Sequence, residues 1–218
     1  MKVNYDDIHQ SLILKSSKFK ELKNQIFMNG VIRIPKPKID FFAFMVKTII
    51  SQQISDKAAN SIWKKFCKYF DKNTPKFKNI KNICSLELQL KNIGISNRKI
   101  EYILTIYQSM LSKSLNSNFL KNQSENEIKK KLTKLKGIGI WTCDMILIFF
   151  LIRPNILPES DLIIKKVKKK ICCMEDKEIN FNKIFSPNLS ILSLHMWKMS
   201  KRILCNECRF YFYCTILL

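Results

Sequence analysis

Four glycines and six prolines in 218 residues are too few for the many tight turns of a β-sandwich or barrel. No apolar run is long enough to cross a bilayer: the longest, Met145 to Ile152, is stopped by Arg153 and Pro154, whereas a spanning helix takes about twenty residues. The start of the chain sets Asp6 and Asp7 ahead of a short Leu/Ile patch, which does not fit a secretory signal. Acidic residues are scarce as well, 17 Asp and Glu against 39 Lys and Arg, for a formal charge of +22. A field of that size concentrates polyanions at the surface and speeds their encounter. Nucleic acid is the expected partner and a membrane is not, although Lys-, Asn- and Ile-rich composition contributes to the charge.

What the chain does have is a 46% hydrophobic content, enough to bury a core and too much for a disordered protein. A monomer inside the cell is expected, in bacterial cytoplasm or a eukaryotic nucleus. There its eight cysteines would be reduced thiols or metal ligands.

Apolar residues recur at helical spacing, so the fold class expected is all-α. Phe41 to Gln53 reads as a buried helix. Ser55 reads as the N-cap of a second, with Ile62, Trp63, Phe66 and Phe70 on one side. Ser96 would cap a third, with Ile100, Ile103, Leu104, Tyr107 and Leu111 inward and Arg98, Lys99 and Glu101 outward. Ser112 to Asn126 reads as a loop, followed by a short charged helix from Glu127 to Leu135 and a strongly apolar one up to Ile152. A proline-punctuated connection delivers Asp161 to the head of an amphipathic helix. Ile163, Ile164, Val167 and Ile171 face one way, and Lys165, Lys166, Lys168, Lys169 and Lys170 the other. A last helix runs from about Asn188 to Leu204.

Two local features carry chemistry. Lys136-Gly137-Ile138-Gly139-Ile140-Trp141-Thr142 holds half of the glycines, and a glycine turn leading into a helix is either an ordinary connection or a phosphate grip made of backbone amides. Asp161, at a helix N-terminus, is either a plain cap or a carboxylate kept ionised beside a cleft. In the second role it would stabilise an oxocarbenium-like sugar or orient the attacking water.

Four segments together resemble a known family. Ile49-Ile50-Ser51-Gln52-Gln53-Ile54-Ser55-Asp56-Lys57-Ala58-Ala59, Ile93-Gly94-Ile95-Ser96-Asn97-Arg98-Lys99, the stretch from Leu135 to Asp161, and Phe185-Ser186-Pro187 continuing to Leu194-His195-Met196-Trp197 occur in this order. They resemble 3-methyladenine DNA glycosylase II, the alkylated-base branch of the helix-hairpin-helix DNA glycosylase superfamily. The resemblance implies a two-lobed helical fold with an active-site cleft between lobes. One lobe would span about residues 41–152, the other about 1–40 plus 153–204, followed by a cysteine-containing tail at 205–218. It also implies a base-excision repair enzyme that flips an alkylated purine, such as 3-methyladenine, out of duplex DNA and hydrolyses its N-glycosidic bond, with no cofactor required.

By position, the resemblance makes Asp161 the catalytic acid and Gln53 the side chain that fills the gap in the duplex. Lys136, Gly137, Ile138, Gly139 and Thr142 would grip the DNA backbone. Trp141, Met145, Ile163 and Trp197 would line the base pocket, where a cationic alkylated base stacks well on aromatic faces. Trp141 stands where bifunctional members carry a nucleophilic lysine, which implies a monofunctional enzyme. Lys165 and Lys166 begin a basic run expected to meet phosphates rather than serve only as a solvated face.

Leu189 and Asn155 depart from the family, which often has an arginine and an acid at these places. Cys205, Cys208 and Cys214 have the spacing of the last three ligands of an iron–sulfur loop, but Lys198 stands near where the fourth would be. Cys172, Cys173 or His195 would have to complete such a site. Cys67, Cys84 and Cys143 read as core, and His9 and His195 as surface or packed imidazoles. Two alternatives stay open: an endonuclease III-like iron–sulfur glycosylase for oxidised or mismatched bases, and a non-catalytic DNA-binding module.

Overall fold

The computed structural model describes residues 3–69 and 75–204. Phe70, the three tail cysteines and the aromatic run from Phe210 to Tyr213 lie outside the described residues. The described elements are helical: α1 (Tyr5–Lys15), α2 (Lys20–Asn29), α3 (Phe41–Ser51), α4 (Asp56–Lys68), a 3-10 turn (Phe77–Asn79), α5 (Ile83–Asn92), α6 (Asn97–Leu111), α7 (Ser117–Lys121), α8 (Glu125–Leu132), α9 (Ile140–Met145), a π turn (Ile146–Phe150), α10 (Leu162–Glu175), α11 (Phe181–Phe185) and α12 (Leu189–Ile203). No described helix is long and apolar enough to cross a membrane.

The chain divides into two compact units. The first joins Met1–Pro35 to Ile152–Leu218, and the second is Lys36–Leu151.

In the second unit α3 is the central element, packing on α4, α6 and α9. It is apolar nearly all round, with Phe41 to Val46 and Thr48 to Ser51 buried, which marks a helix enclosed on all sides. Asp40 caps it through Ala43 N (2.9 Å), while its second carboxylate oxygen accepts from Phe77 N (2.7 Å). Ser55 caps α4 as expected, its hydroxyl accepting from Ala58 N at 3.0 Å.

Several local expectations need correction. Ser96 stands at the cap position of α6 but makes no side-chain cap bond. Leu111 is 63% exposed, because α6 ends there and its last turn leaves the core. The expected loop after Ser112 contains α7, and α8 begins at Glu125 because Ser124 and Glu127 close a reciprocal capping box ahead of it. The apolar helix after the glycines is regular only to Met145. It then widens into the π turn, closed by Leu151 N donating to Ile146 O at 2.9 Å.

In the first unit α12 packs on α10, α2 and α11. Ile164, Val167 and Ile171 are fully buried along α10, as the periodicity predicts, whereas Ile163 is half-exposed. Two serines on α12 organise the connection ahead of Asp161. Ser190 Oγ donates to Arg153 O (2.6 Å) and accepts from Ile156 N (3.0 Å); Ser193 Oγ donates to Leu189 O (2.8 Å) and Ile156 O (3.2 Å). These bonds satisfy backbone groups that would otherwise be buried unpaired.

Candidate active site

The glycine turn lies between α8 and α9, a helical hairpin in the second unit. Lys129 on α8 and Asp144 on α9 join the two helices through an ion pair of 2.7 Å, with the Asp144 side chain 2% exposed. Gly137 has φ +84°, a conformation that favours glycine. It also lies so close to the Tyr102 ring that a Cβ would sit 2.2 Å from it. Gly139 is exposed and meets no such crowding, so only the first glycine is required by a close approach. Ile138 is buried and Lys136 is exposed, paired with Glu101. Ile140 is 48% exposed and Trp141 partly so. The first-turn amides of a helix have no partner inside it, which is what makes such a turn able to hold an anion.

Thr142, expected to face phosphate, is 2% exposed and directed inward, its Oγ1 accepting from Gln52 Nε2 at 3.1 Å. Gln52 Nε2 also donates to Gly137 O at 3.1 Å. Gln53 is exposed and left-handed, with φ +56°. Lys99, expected outward, is half-buried instead. Its Nζ donates to Ile50 O and Gln52 O, both at 2.8 Å, closing the carboxyl end of α3. Burial pushes its amine pKa below the ordinary lysine value.

The acid belongs to the first unit. Asp161 is the N-cap of α10 and is 2% exposed. Its Oδ1 accepts from Ile164 N (2.9 Å) and from the indole Nε1 of Trp197 (3.2 Å). Trp197 itself is 3% exposed on α12. Met145, in the second unit, is fully buried. Leu162, beside the acid, is 71% exposed. Lys165, Lys166 and Lys169 are exposed along α10, while Lys168 pairs with Glu159 at 2.7 Å.

Leu189 is buried at the head of α12. Asn155 Oδ1, where the family often has an acid, is buried without a hydrogen-bond partner. Cys143 is buried as expected, and burial with the neighbouring Asp144 pushes its thiol up to about 12. Cys84 is exposed and Cys67 half-buried, so neither is core, because α4 and α5 turn these positions toward their rims. Among the described residues no group of three or more His, Cys, Asp or Glu side chains is arranged to hold a metal.

His9 and His195 are both buried and stack, with ring centroids 5.6 Å apart. His195 Nδ1 lies 3.0 Å from Asn29 Nδ2, and Asn29 Oδ1 accepts from Arg202 at 2.8 Å, so the asparagine presents its amide hydrogens to the ring.

The described residues thus form helices only, with a glycine-turned hairpin in one unit and a capped, buried aspartate in the other. The sequence matches the HhH-GPD superfamily of base excision DNA repair proteins over residues 46–187, and the chain belongs to that superfamily. It is similar to Bacillus subtilis YfjP, at 29% identity over 163 residues covering 71% of this chain. It is also similar to the alkylbase DNA glycosidase-like protein mag2 of Schizosaccharomyces pombe, at 30% identity over 174 residues covering 77% of this chain. The chain spans 57% of the length of the Bacillus relative and 81% of that of the yeast relative. Among solved structures, the DNA-3-methyladenine glycosidase of Bacillus halodurans superposes with a TM-score of 0.73 at 24% identity, covering 97% of each chain.

Proposed function

We propose that this chain is a monofunctional DNA glycosylase that releases alkylated purines, such as 3-methyladenine, from duplex DNA. The observation that carries the reading is Asp161: a carboxylate held at a helix N-terminus by a backbone amide and by the Trp197 indole N–H. An anion there stabilises positive charge developing on a deoxyribose as the C1′–N bond breaks.

The base must leave the stack before that bond can be reached. Gln53, exposed on its turn, fills the vacated space, and the hairpin from Lys136 to Gly139 holds the backbone, with Lys165 and Lys166 adding phosphate contacts. The partly exposed indole of Trp141 offers the flipped base an aromatic face to stack on. A purine alkylated on a ring nitrogen is cationic, which strengthens its stacking and makes it a good leaving group. Asp161 orients the water that attacks C1′. Base and abasic site are the products, the proton of that water passing to solvent.

Trp141 offers no amine for a Schiff base, so hydrolysis rather than strand cleavage follows. The names of two similar Schizosaccharomyces pombe proteins, an alkylbase DNA glycosidase-like protein and DNA-3-methyladenine glycosylase 1, support the substrate class. The enzyme works as a monomer on double-stranded DNA in bacterial cytoplasm or nucleus, without a cofactor.

Methylated duplex DNA incubated with the protein is the test, with released bases separated and identified. Alkylpurines should appear without strand scission, and borohydride should trap no covalent adduct. Failure to release any base would refute the reading, and a trapped adduct would replace it with a lyase.

A further inference from the structure

The turn that carries Gln53 is not free-standing. Gln52 reaches from it to the hairpin, its one amide nitrogen serving the Gly137 carbonyl and the Thr142 hydroxyl, both at 3.1 Å. From the other side Lys99 holds the carbonyls of Ile50 and Gln52 at 2.8 Å. Between these two braces Gln53 keeps φ +56°, a conformation a side chain with a Cβ adopts only when its surroundings impose it. Gly137 at the far end is itself fixed, since the Tyr102 ring leaves no room for a Cβ there. Polar groups that are buried or half-buried and satisfied in this way define one arrangement, because any slip leaves a donor or acceptor unpaired.

We propose that Gln52 is a positioning residue that couples the Gln53 turn to the hairpin, so that seating the hairpin on a phosphate also places Gln53 for insertion into the duplex. This rests on the proposed function for the identity of the ligand as duplex DNA. The side-chain type fits the task. Methionine has similar length but no donor, and glutamate would turn an anion toward the Gly137 carbonyl. Gln52 touches neither base nor sugar in this scheme. Its effect is on extrusion, and it should fade when extrusion costs little.

The experiment uses Gln52→Met, Thr142→Val and the double variant. Affinity is measured for a duplex containing a tetrahydrofuran abasic analogue and for the same duplex intact. Single-turnover base release is followed with the methylated purine either paired or opposite an abasic gap. Gln52→Met should lower the preference for abasic over intact DNA by about tenfold, the scale of one or two lost hydrogen bonds, with affinity for intact duplex changed less than about twofold. Release should slow by a similar factor on paired DNA and recover opposite the gap. Thr142→Val should act in the same direction, and the double variant should be no worse than Gln52→Met, since partners in one contact are not additive.

An unchanged preference, an equal loss on both duplexes together with a lowered melting temperature, or additive effects would each overturn the coupling. If the unaltered protein releases no base, the functional reading fails, and the binding comparison still decides the coupling.

Discussion

Asp144 in the hairpin and Asp161 at the head of α10 are both almost fully buried, yet they are held by different chemistry. Asp144 lies 2.7 Å from the Lys129 ammonium, an opposite charge from the neighbouring helix. Asp161 Oδ1 accepts from two neutral N–H groups, one backbone and one indole. A carboxylate matched by a cation is tied up in joining two helices. On the proposed function, the acid at the head of α10 instead answers a positive charge that develops on the substrate. Burial alone therefore does not separate these two acids; the bonds they make do.

Paired substitutions test that difference most directly, and on the proposed function the larger effect on turnover is expected at Asp161. Asp161→Asn preserves an oxygen that can accept from Ile164 N and Trp197 Nε1, so the fold should survive with a melting temperature within a few degrees of the parent. Base release should fall by at least about 100-fold, the scale of lost electrostatic stabilisation at a reacting centre, while DNA binding persists. Asp144→Asn should reverse the pattern. Removing one partner of a buried pair strands the other, at a cost of about 2–3 kcal/mol after allowing for the partial exposure of Lys129. Urea unfolding should report that loss, with per-molecule activity of the folded fraction little altered. Equal effects of the two substitutions on turnover would erase the distinction.

Local patterns made much of this legible and long-range ones did not. Ser55 and Asp161 could be read as caps because a cap is decided by the few residues that follow it. The buried faces of α3 and α10 follow from spacing in the same way. Read along its own helix, Lys99 falls beside Arg98 and Glu101 on the water-facing side. What turns it inward is the carboxyl end of α3, some fifty residues earlier, which no window along α6 contains. The hairpin motif points Thr142 outward, and the partner that draws it inward, Gln52, lies ninety residues away. Ser190 and Ser193 gave no signal, because a serine inside an apolar helix is read as neutral until the connection it supports is seen. The π turn after Met145 was equally hidden in a run of Ile, Leu and Phe.

The hairpin side of the comparison depends on backbone as well as charge, and Gly137→Ala isolates that part. The substitution places a Cβ against the Tyr102 ring, 2.2 Å away without adjustment, in a residue whose φ of +84° already disfavours side chains. Ring displacement and backbone strain together should destabilise by about 2 kcal/mol. Affinity for intact duplex should fall with it, because the amides next to the turn move. Gly139→Ala has open space and φ −94°, and should leave stability within about 0.5 kcal/mol of the parent. Similar losses at both glycines would mean that the turn is set by something other than the Tyr102 contact.

Acid should act on the two sides unequally, because the unit that contains Asp161 also contains His195. Burial first, then the charges of His9, Lys198 and Arg202, push the His195 pKa from its ordinary 6.5 down to about 3. Burial lowers that of the stacked His9 as well, with Asp6 opposing the shift. A histidine whose folded-state pKa is depressed contributes stability that is fully present above the unfolded value. That contribution drains away as pH falls from about 6.5 toward 3, since the unfolded chain takes up a proton the folded one refuses. Between pH 7 and 5.5 His195 alone should remove about 1 kcal/mol of unfolding free energy, read as a falling urea midpoint at constant slope. His195→Gln carries no titrating ring and should flatten that decline, even though it lowers the stability at pH 7. A decline as steep in the variant as in the parent would place the acid-sensitive group elsewhere.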